Sequence, residues 1–305
     1  MIQHQLALIK REVWEHRAIY VTPIAIAVVV SLVALTGMVT VSAFDKHVNM
    51  ALFTASNMAG DAERATALTV LFLGTSWVFL FALAILTTFY TLDSLYAERK
   101  DKSILFWRSL PITDAETVIS KLLTAVFVLP LVMVAAIIVT HLVNLLITTA
   151  WVMFKGGDAI HLIWGSVPLF DNWVAALIVT VASAIWMSPL IGWFLFVSAF
   201  SKRSPLLMAF MPLIIIPIIE YMFFRTKIFA SAVFGRGEML PLFREMDLEL
   251  FFDEDRMKVN EEAVGLLTHL DPAGFLLSPS VWAGVVVCGL FVTAAIYVRR
   301  YRDES

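Results

Sequence analysis

VAALIVTVASAIWMSPLIGWFLFVSAFSKRSPLLMAFMPLIIIPIIEYMFF, from Val174 to Phe224, decides the fold. Two apolar runs flank the four residues Ser201, Lys202, Arg203 and Ser204. A helix needs about 20 apolar residues to cross a hydrocarbon core roughly 30 Å thick, and each run is long enough. So short a turn makes the two helices antiparallel neighbours. Its lysine and arginine belong on the side of the membrane where basic residues are retained.

Working outward, runs of this kind span residues 18–43, 68–92, 122–154, 174–200, 205–224 and 281–298, which predicts an all-α polytopic membrane protein with six spans. Composition agrees. Of 305 residues, 60% are hydrophobic and only 15% charged, more apolar than a soluble domain. No linker or repeat divides the chain, so residues 1–305 read as one transmembrane domain. The first run is too long for a signal-peptide core and reads as a retained anchor. Ahead of it, Ile2, Leu6, Ile9, Val13 and Tyr20 follow helical spacing while Lys10 and Arg17 fall off that stripe, the pattern of an amphipathic helix on a membrane surface. Pro130 near the start of the third run predicts a kink or an oblique entry.

Basic residues set the orientation. One set of segments carries Lys10, Arg11 and Arg17, then Arg99, Lys100, Lys102, Arg108 and Lys121, then Lys202 and Arg203, and finally Arg299, Arg300 and Arg302. The short loops on the other side carry only Lys46, Arg64 and Lys155. Both termini are therefore expected on the cytoplasmic side, with residues 94–121 a cytoplasmic loop and residues 225–280 an extracytoplasmic cap. The cap has apolar clusters at Phe229, Val233 and Phe234, at Leu248, Leu250, Phe251 and Phe252, and at Val264, Leu266, Leu267 and Leu270, which predict an ordered unit.

Nucleotide and enzyme chemistry leave no local signature. There is no GxxxxGK[ST] loop to cradle phosphates, no HExxH and no GxSxG. The six histidines are scattered, and the single cysteine, Cys288, lies in an apolar run where it reads as a buried thiol. No enzyme, resident cofactor, metal site or nucleic-acid partner is expected. The acidic run Asp253, Glu254 and Asp255 lacks the spacing of a calcium loop and reads as a solvated cluster.

The patterned stretch is LYAERKDKSILFWRSLPITDAETVISKLL, Leu95 to Leu123. Charges at Glu98 to Lys102 lead into Ser103, an N-cap candidate before the apolar Ile104 to Trp107. Leu110 and Pro111 end that short helix. Thr113 and Glu116 form a capping box that starts the next. By its residues alone the unit is a rigid helix, turn, helix, or an interfacial loop with snorkelling basic side chains. The run from Glu98 through Lys121 resembles the cytoplasmic loop of the ABC type 2 exporter permeases, with Glu98, Arg99, Leu105, Ser109, Leu110, Pro111 and Lys121 at matching positions. The family usually has glycine and threonine where Lys102 and Ser103 stand.

The resemblance implies a permease that moves its substrate outward from the cytoplasm or inner leaflet of a bacterial or archaeal cytoplasmic membrane. It implies a coupling helix at Glu98, Arg99, Ser103, Leu105, Trp107, Arg108, Pro111 and Lys121. The implied partners are two ABC ATPase subunits, which bind the ATP and magnesium, a second copy or a homologous permease, and membrane lipid. Two rivals remain, an ion-coupled secondary transporter with Glu220 or His141 as proton carrier, and a membrane scaffold. Glu220 lies within the fifth run, where a charge faces a pathway or pairs at the interface, Arg225 being close in sequence. Pro212 and Pro217 suit a bending span, and Gly284, Gly289, Ala294 and Ala295 suit close helix packing in the sixth.

In a background lacking Cys288, single cysteines at Ser103, Ser201 and Ser305 should react with an impermeant maleimide only from the cytoplasm. Cysteines at Asp61, Asp158 and Asp255 should react only from outside; reversal at both groups overturns the orientation.

Overall fold

The computed structural model describes residues 2–44, 61–108, 111–165, 168–238, 241–242 and 266–301, all helices and turns with no strand among them. In chain order the helices are α1 (Ile2–Glu15), α2 (Ala18–Phe44), α3 (Asp61–Lys100), α4 (Ser103–Arg108), α5 (Asp114–Leu123) and α6 (Leu129–Phe154). There follow α7 (Leu169–Trp186), α8 (Ser188–Phe200), α9 (Pro205–Phe224), α10 (Ile228–Glu238), α11 (Pro272–Leu277) and α12 (Pro279–Tyr301). Six are long and apolar enough to cross a membrane: α2, α3, α5 continuing into α6, α7, α9 and α12. The chain is an all-α polytopic membrane protein.

Two prolines shape the long spans. Pro130 lacks an N–H, and its ring would meet the carbonyl four residues back, at Val126. The chain widens just there into a π-helical turn over Thr124–Val128, where the Leu129 N–H reaches back to the Thr124 carbonyl. The predicted kink is thus a local widening that leaves α5 and α6 continuous. The fourth run departs from the single span expected over 174–200. It begins earlier, at Leu169, and breaks at Met187 (φ −83°, ψ 2°) because Pro189 cannot continue the hydrogen-bond ladder. Helical bonds run up to Met187, whose N–H meets the Ser183 carbonyl, and resume beyond it, where its own carbonyl accepts from Ile191. In α9, by contrast, Pro212 and Pro217 sit inside one uninterrupted helix.

The principal core joins most of the spans. Phe79 and Leu83 of α3, Met133 and Ile137 of α6, Leu195 of α8 and Cys288 and Val292 of α12 are buried together. The close pairing of α8 with α12 depends on Gly192, where a Cβ would stand 3.0 Å from both the Cα and the carbonyl oxygen of Cys288. In α9 only Ala209 is buried, so its apolar surface is left facing outward.

At the end remote from α4, the described part of the 225–280 segment is packed against the bundle. Leu242, Leu270 and Phe275 share a cluster with Ala175, Ala182 and Trp186 of α7 and Val281 of α12. Arg236 of α10 pins it: its guanidinium lies 4.4 Å from the Trp186 ring and donates to the carbonyls of Trp186 (2.6 Å) and Ser280 (3.1 Å). The break at Met187 is what frees the Trp186 carbonyl for this bond. Gly284 makes room, since a Cβ there would stand 2.7 Å from Arg236 Nη2. Leu248, Leu250, Phe251, Phe252, Val264 and the acidic run Asp253 to Asp255 lie outside the described residues.

Gly192→Val should destabilise the purified protein by about 1–3 kcal/mol through overpacking, read as a lower thermal midpoint. Gly289→Ala, whose Cβ would meet nothing within 4 Å, should leave it unchanged.

Candidate functional site

Glu12 should not be where it is on hydrophobic grounds. In α1 the apolar stripe reads through Leu6, which is 60% exposed, whereas the face turned to the protein carries Leu8, Glu12 and His16, with Glu12 fully buried. The predicted helix is present, but its protein-facing side is rotated away from the apolar stripe. The reason is charge. Lys121 of α5, also fully buried, donates to both Glu12 carboxylate oxygens at 2.9 and 3.0 Å, and the Tyr90 hydroxyl of α3 donates to the same carboxylate at 2.9 Å. Burial holds the His16 imidazole below its usual range, with Lys121 adding to that effect and Glu12 opposing it.

Lys121 is shared. Its ammonium also lies 3.0 Å from Glu98, near the end of α3. Glu98 in turn accepts from Arg11 of α1 at 3.0 Å and from Arg299 of α12 at 2.6 Å. Arg299 reaches on to Asp114 at the first turn of α5, 2.9 Å away. Arg11 closes the set: it pairs with Glu15 at 2.8 Å, and its guanidinium lies 3.4 Å from the ring centre of Trp107 in α4. Two buried carboxylates, Glu12 and Glu98, are thus balanced by two buried cations, Lys121 and Arg299, and the cluster ties together α1, α3, α4, α5 and α12.

The turn into α4 is set locally. Lys102 adopts the left-handed conformation (φ 57°), which carries a side-chain penalty that glycine escapes. Ser103 is the first residue of α4 rather than the residue before it, and its hydroxyl donates to the Glu98 carbonyl at 3.3 Å. Ile104 is buried, while Lys100, Asp101, Lys102 and Pro111 are exposed. The capping box that begins α5 forms as read: Thr113 Oγ1 accepts from the Glu116 N–H at 3.2 Å, and Glu116 accepts from the Thr113 N–H at 2.9 Å. The side chains of Leu105 and Arg108, and residues Ser109 and Leu110, lie outside the described residues.

Arg99 faces another partner. It donates to the carbonyls of Ser198 (2.6 Å) and Ser201 (2.8 Å) at the end of α8. Ser198 Oγ meanwhile accepts from the backbone N–H groups of Leu95 and Tyr96, at 3.1 and 3.0 Å. So the two adjacent residues Glu98 and Arg99 fasten α3 to different neighbours. Of the residues singled out in the loop, Glu98 and Lys121 are internal fasteners, and the surface they support is presented by Lys100, Asp101 and Lys102.

Glu220 has a local task. Its carboxylate accepts from Thr226 Oγ1 at 2.8 Å and from the N–H groups of Ile228 (2.6 Å) and Phe229 (2.9 Å), so it caps the start of α10. Arg225 turns the chain in the left-handed region (φ 56°), its guanidinium 5.5 Å from the Tyr221 ring. Sequence reading missed Glu12, Tyr90, Asp114 and Arg299 as members of the cluster. The off-pattern acid at Glu12, on a helix otherwise legible as amphipathic, was the one signal available.

Comparisons with protein-family models, with curated proteins and with solved structures give no match to this chain.

Removing one member of a buried ion pair strands its partner, at a cost of about 3–5 kcal/mol. Lys121→Met alone should lower the thermal midpoint sharply. The double variant Lys121→Met with Glu12→Gln should regain part of that loss; a double variant no better than the single one contradicts the pairing.

Proposed function

We propose that this chain is the membrane-spanning subunit of an ATP-driven exporter, of the kind represented by the ABC type 2 permeases. It would move its cargo from the cytoplasm or inner leaflet, with ATP and magnesium bound in two separate ATPase subunits and a second copy or a related permease completing the channel. The observation that carries the reading is the charge cluster. A helix short enough to be a docking lever, α4, stands on a buried ion network that also holds the ends of α1, α3, α5 and α12. A displacement of α4 would act on that network through Trp107. It is passed to several spans at once, which is what biasing an equilibrium between inward-open and outward-open states requires.

The basic ends of the spans support a cytoplasmic position for this face, in a bacterial or archaeal inner membrane. The cap around α10 and α11, on the opposite face, is suited to closing the outer exit. The resemblance of Glu98 to Lys121 to the coupling loop supports the same reading. Glu220, one of the two proton carriers that an ion-coupled mechanism would use, is engaged in capping α10, which favours the ATP-driven reading.

Purification from native membranes should retain an ATPase subunit in stoichiometric amount. Lys100→Glu combined with Lys102→Glu, both exposed, should reduce that retention about tenfold, the loss expected from about 1.4 kcal/mol of interface energy, while thermal stability stays unchanged. Absence of any ATPase together with flux that follows an ion gradient overturns the proposal.

A further inference from the structure

Between α3, α6 and α7, beneath the 3-10 turn Leu266–His269 of the cap, lies a cavity of about 300 Å³. Its size falls at the low end of small-molecule sites, roughly 300–1,000 Å³. The walls are mostly apolar, with Phe72, Trp77, Ile137 and Leu270 among them, and among the described residues no acidic residue, lysine or arginine lines it. A charged ligand is therefore disfavoured.

The polar groups in the walls divide into two kinds. Ser76 and Thr180 donate to carbonyls of their own helices, Phe72 at 2.8 Å and Ala176 at 2.5 Å. His141 and Asn172 do not settle their needs in this way. Each is almost wholly buried, 1% and 3% exposed, and each keeps a buried atom with no hydrogen-bond partner in the protein: His141 Nδ1 and Asn172 Oδ1. His269 Nε2, in the cap, is a third such atom.

Neighbouring bonds say what these atoms offer. Thr75 Oγ1 donates to the Phe72 carbonyl at 2.9 Å, so toward His141 Nε2, 2.8 Å away, it is the acceptor. That places the imidazole proton on Nε2 and leaves Nδ1 a lone pair. The ring is held in place, stacked on Phe72 with centroids 4.4 Å apart. The Asn172 amide nitrogen is directed at Thr69 Oγ1, 3.5 Å away, and Oδ1 is an acceptor by nature. Fixed acceptors in an apolar chamber complement a molecule with an apolar body and a neutral hydrogen-bond donor.

Entry is from the side. Val70 and Trp77, 45% and 67% exposed, belong to the lining, and between them stands Gly74, whose missing Cβ would meet nothing within 4 Å. We infer that this cavity is a binding site for a neutral, hydroxyl-bearing lipophile drawn from the bilayer, with Asn172 Oδ1 accepting from its hydroxyl. The inference is independent of whether an ATPase drives the chain. A membrane lipid such as a diacylglycerol and a small dissolved alcohol share this chemistry.

The test uses the full chain in phosphatidylcholine nanodiscs, photolabelled with a diazirine-bearing dodecanol and, separately, with its methyl ether. The alcohol should label residues 70–80 and 172–180. The ether should label about fivefold less, the factor that one neutral hydrogen bond carries. Asn172→Leu should reduce labelling by the alcohol to the level of the ether. Gly74→Leu, which fills open space, should block both probes without loss of thermal stability. Displacement by diacylglycerol assigns the site to lipid, and displacement by unlabelled dodecanol alone assigns it to small alcohols. Equal labelling by alcohol and ether, or labelling that Gly74→Leu does not change, overturns the inference and leaves a chamber in which His141 and Asn172 hold only water.

Discussion

The Lys121 ammonium, fully buried and within 3.0 Å of both Glu12 and Glu98, is the contact on which the rest of the architecture depends. Taking an ion out of water costs several kcal/mol even after relaxation. None of the buried groups can therefore be left behind when another moves. Glu12 and Glu98 need Lys121 and Arg299, and these belong to different helices. The result is a junction of α1, α3, α5 and α12 that separates as a whole or not at all. Hydrophobic packing would be more tolerant of sliding. A charge network specifies one register, because the buried carboxylates are matched by cations held on other helices.

The opposite end of the molecule is held by other means. There, apolar contacts and the Arg236 bonds to two carbonyls fasten the cap to α7 and α12. The long spans are interrupted at two proline-dependent points, the π-helical turn before Pro130 and the break at Met187 before Pro189. Both leave carbonyls outside the regular ladder, which is where helices bend. The cavity lined by His141 and Asn172 lies in the half of the bundle nearer the cap.

Membrane insertion and helix ends were legible in the residues because they depend on local physics. Apolar length alone marks a span, and the Thr113 and Glu116 capping box needs only a spacing of three. The burial of Cys288 followed from its place in an apolar run. The fourth span shows the limit of such reading: hydropathy is continuous from Val174 to Phe200, yet Pro189 breaks the ladder within it. Glu220 shows another. A carboxylate in an apolar run suggests a pathway, but its task as a cap for α10 depends on how Arg225 turns the chain.

What the residues determined by themselves was an all-α membrane protein, the capping box that starts α5, and a patterned loop at the basic end. Periodicity, hydropathy and capping act over a few residues, so they can be read without the fold. Only the tertiary structure decided that Glu12 pairs with Lys121 across 109 positions and Glu98 with Arg299 across 201. It likewise decided that His141 and Asn172 meet in one chamber. Charge pairing and cavity formation depend on distance in space, and no local pattern encodes which cation will stand beside which acid once the spans have packed.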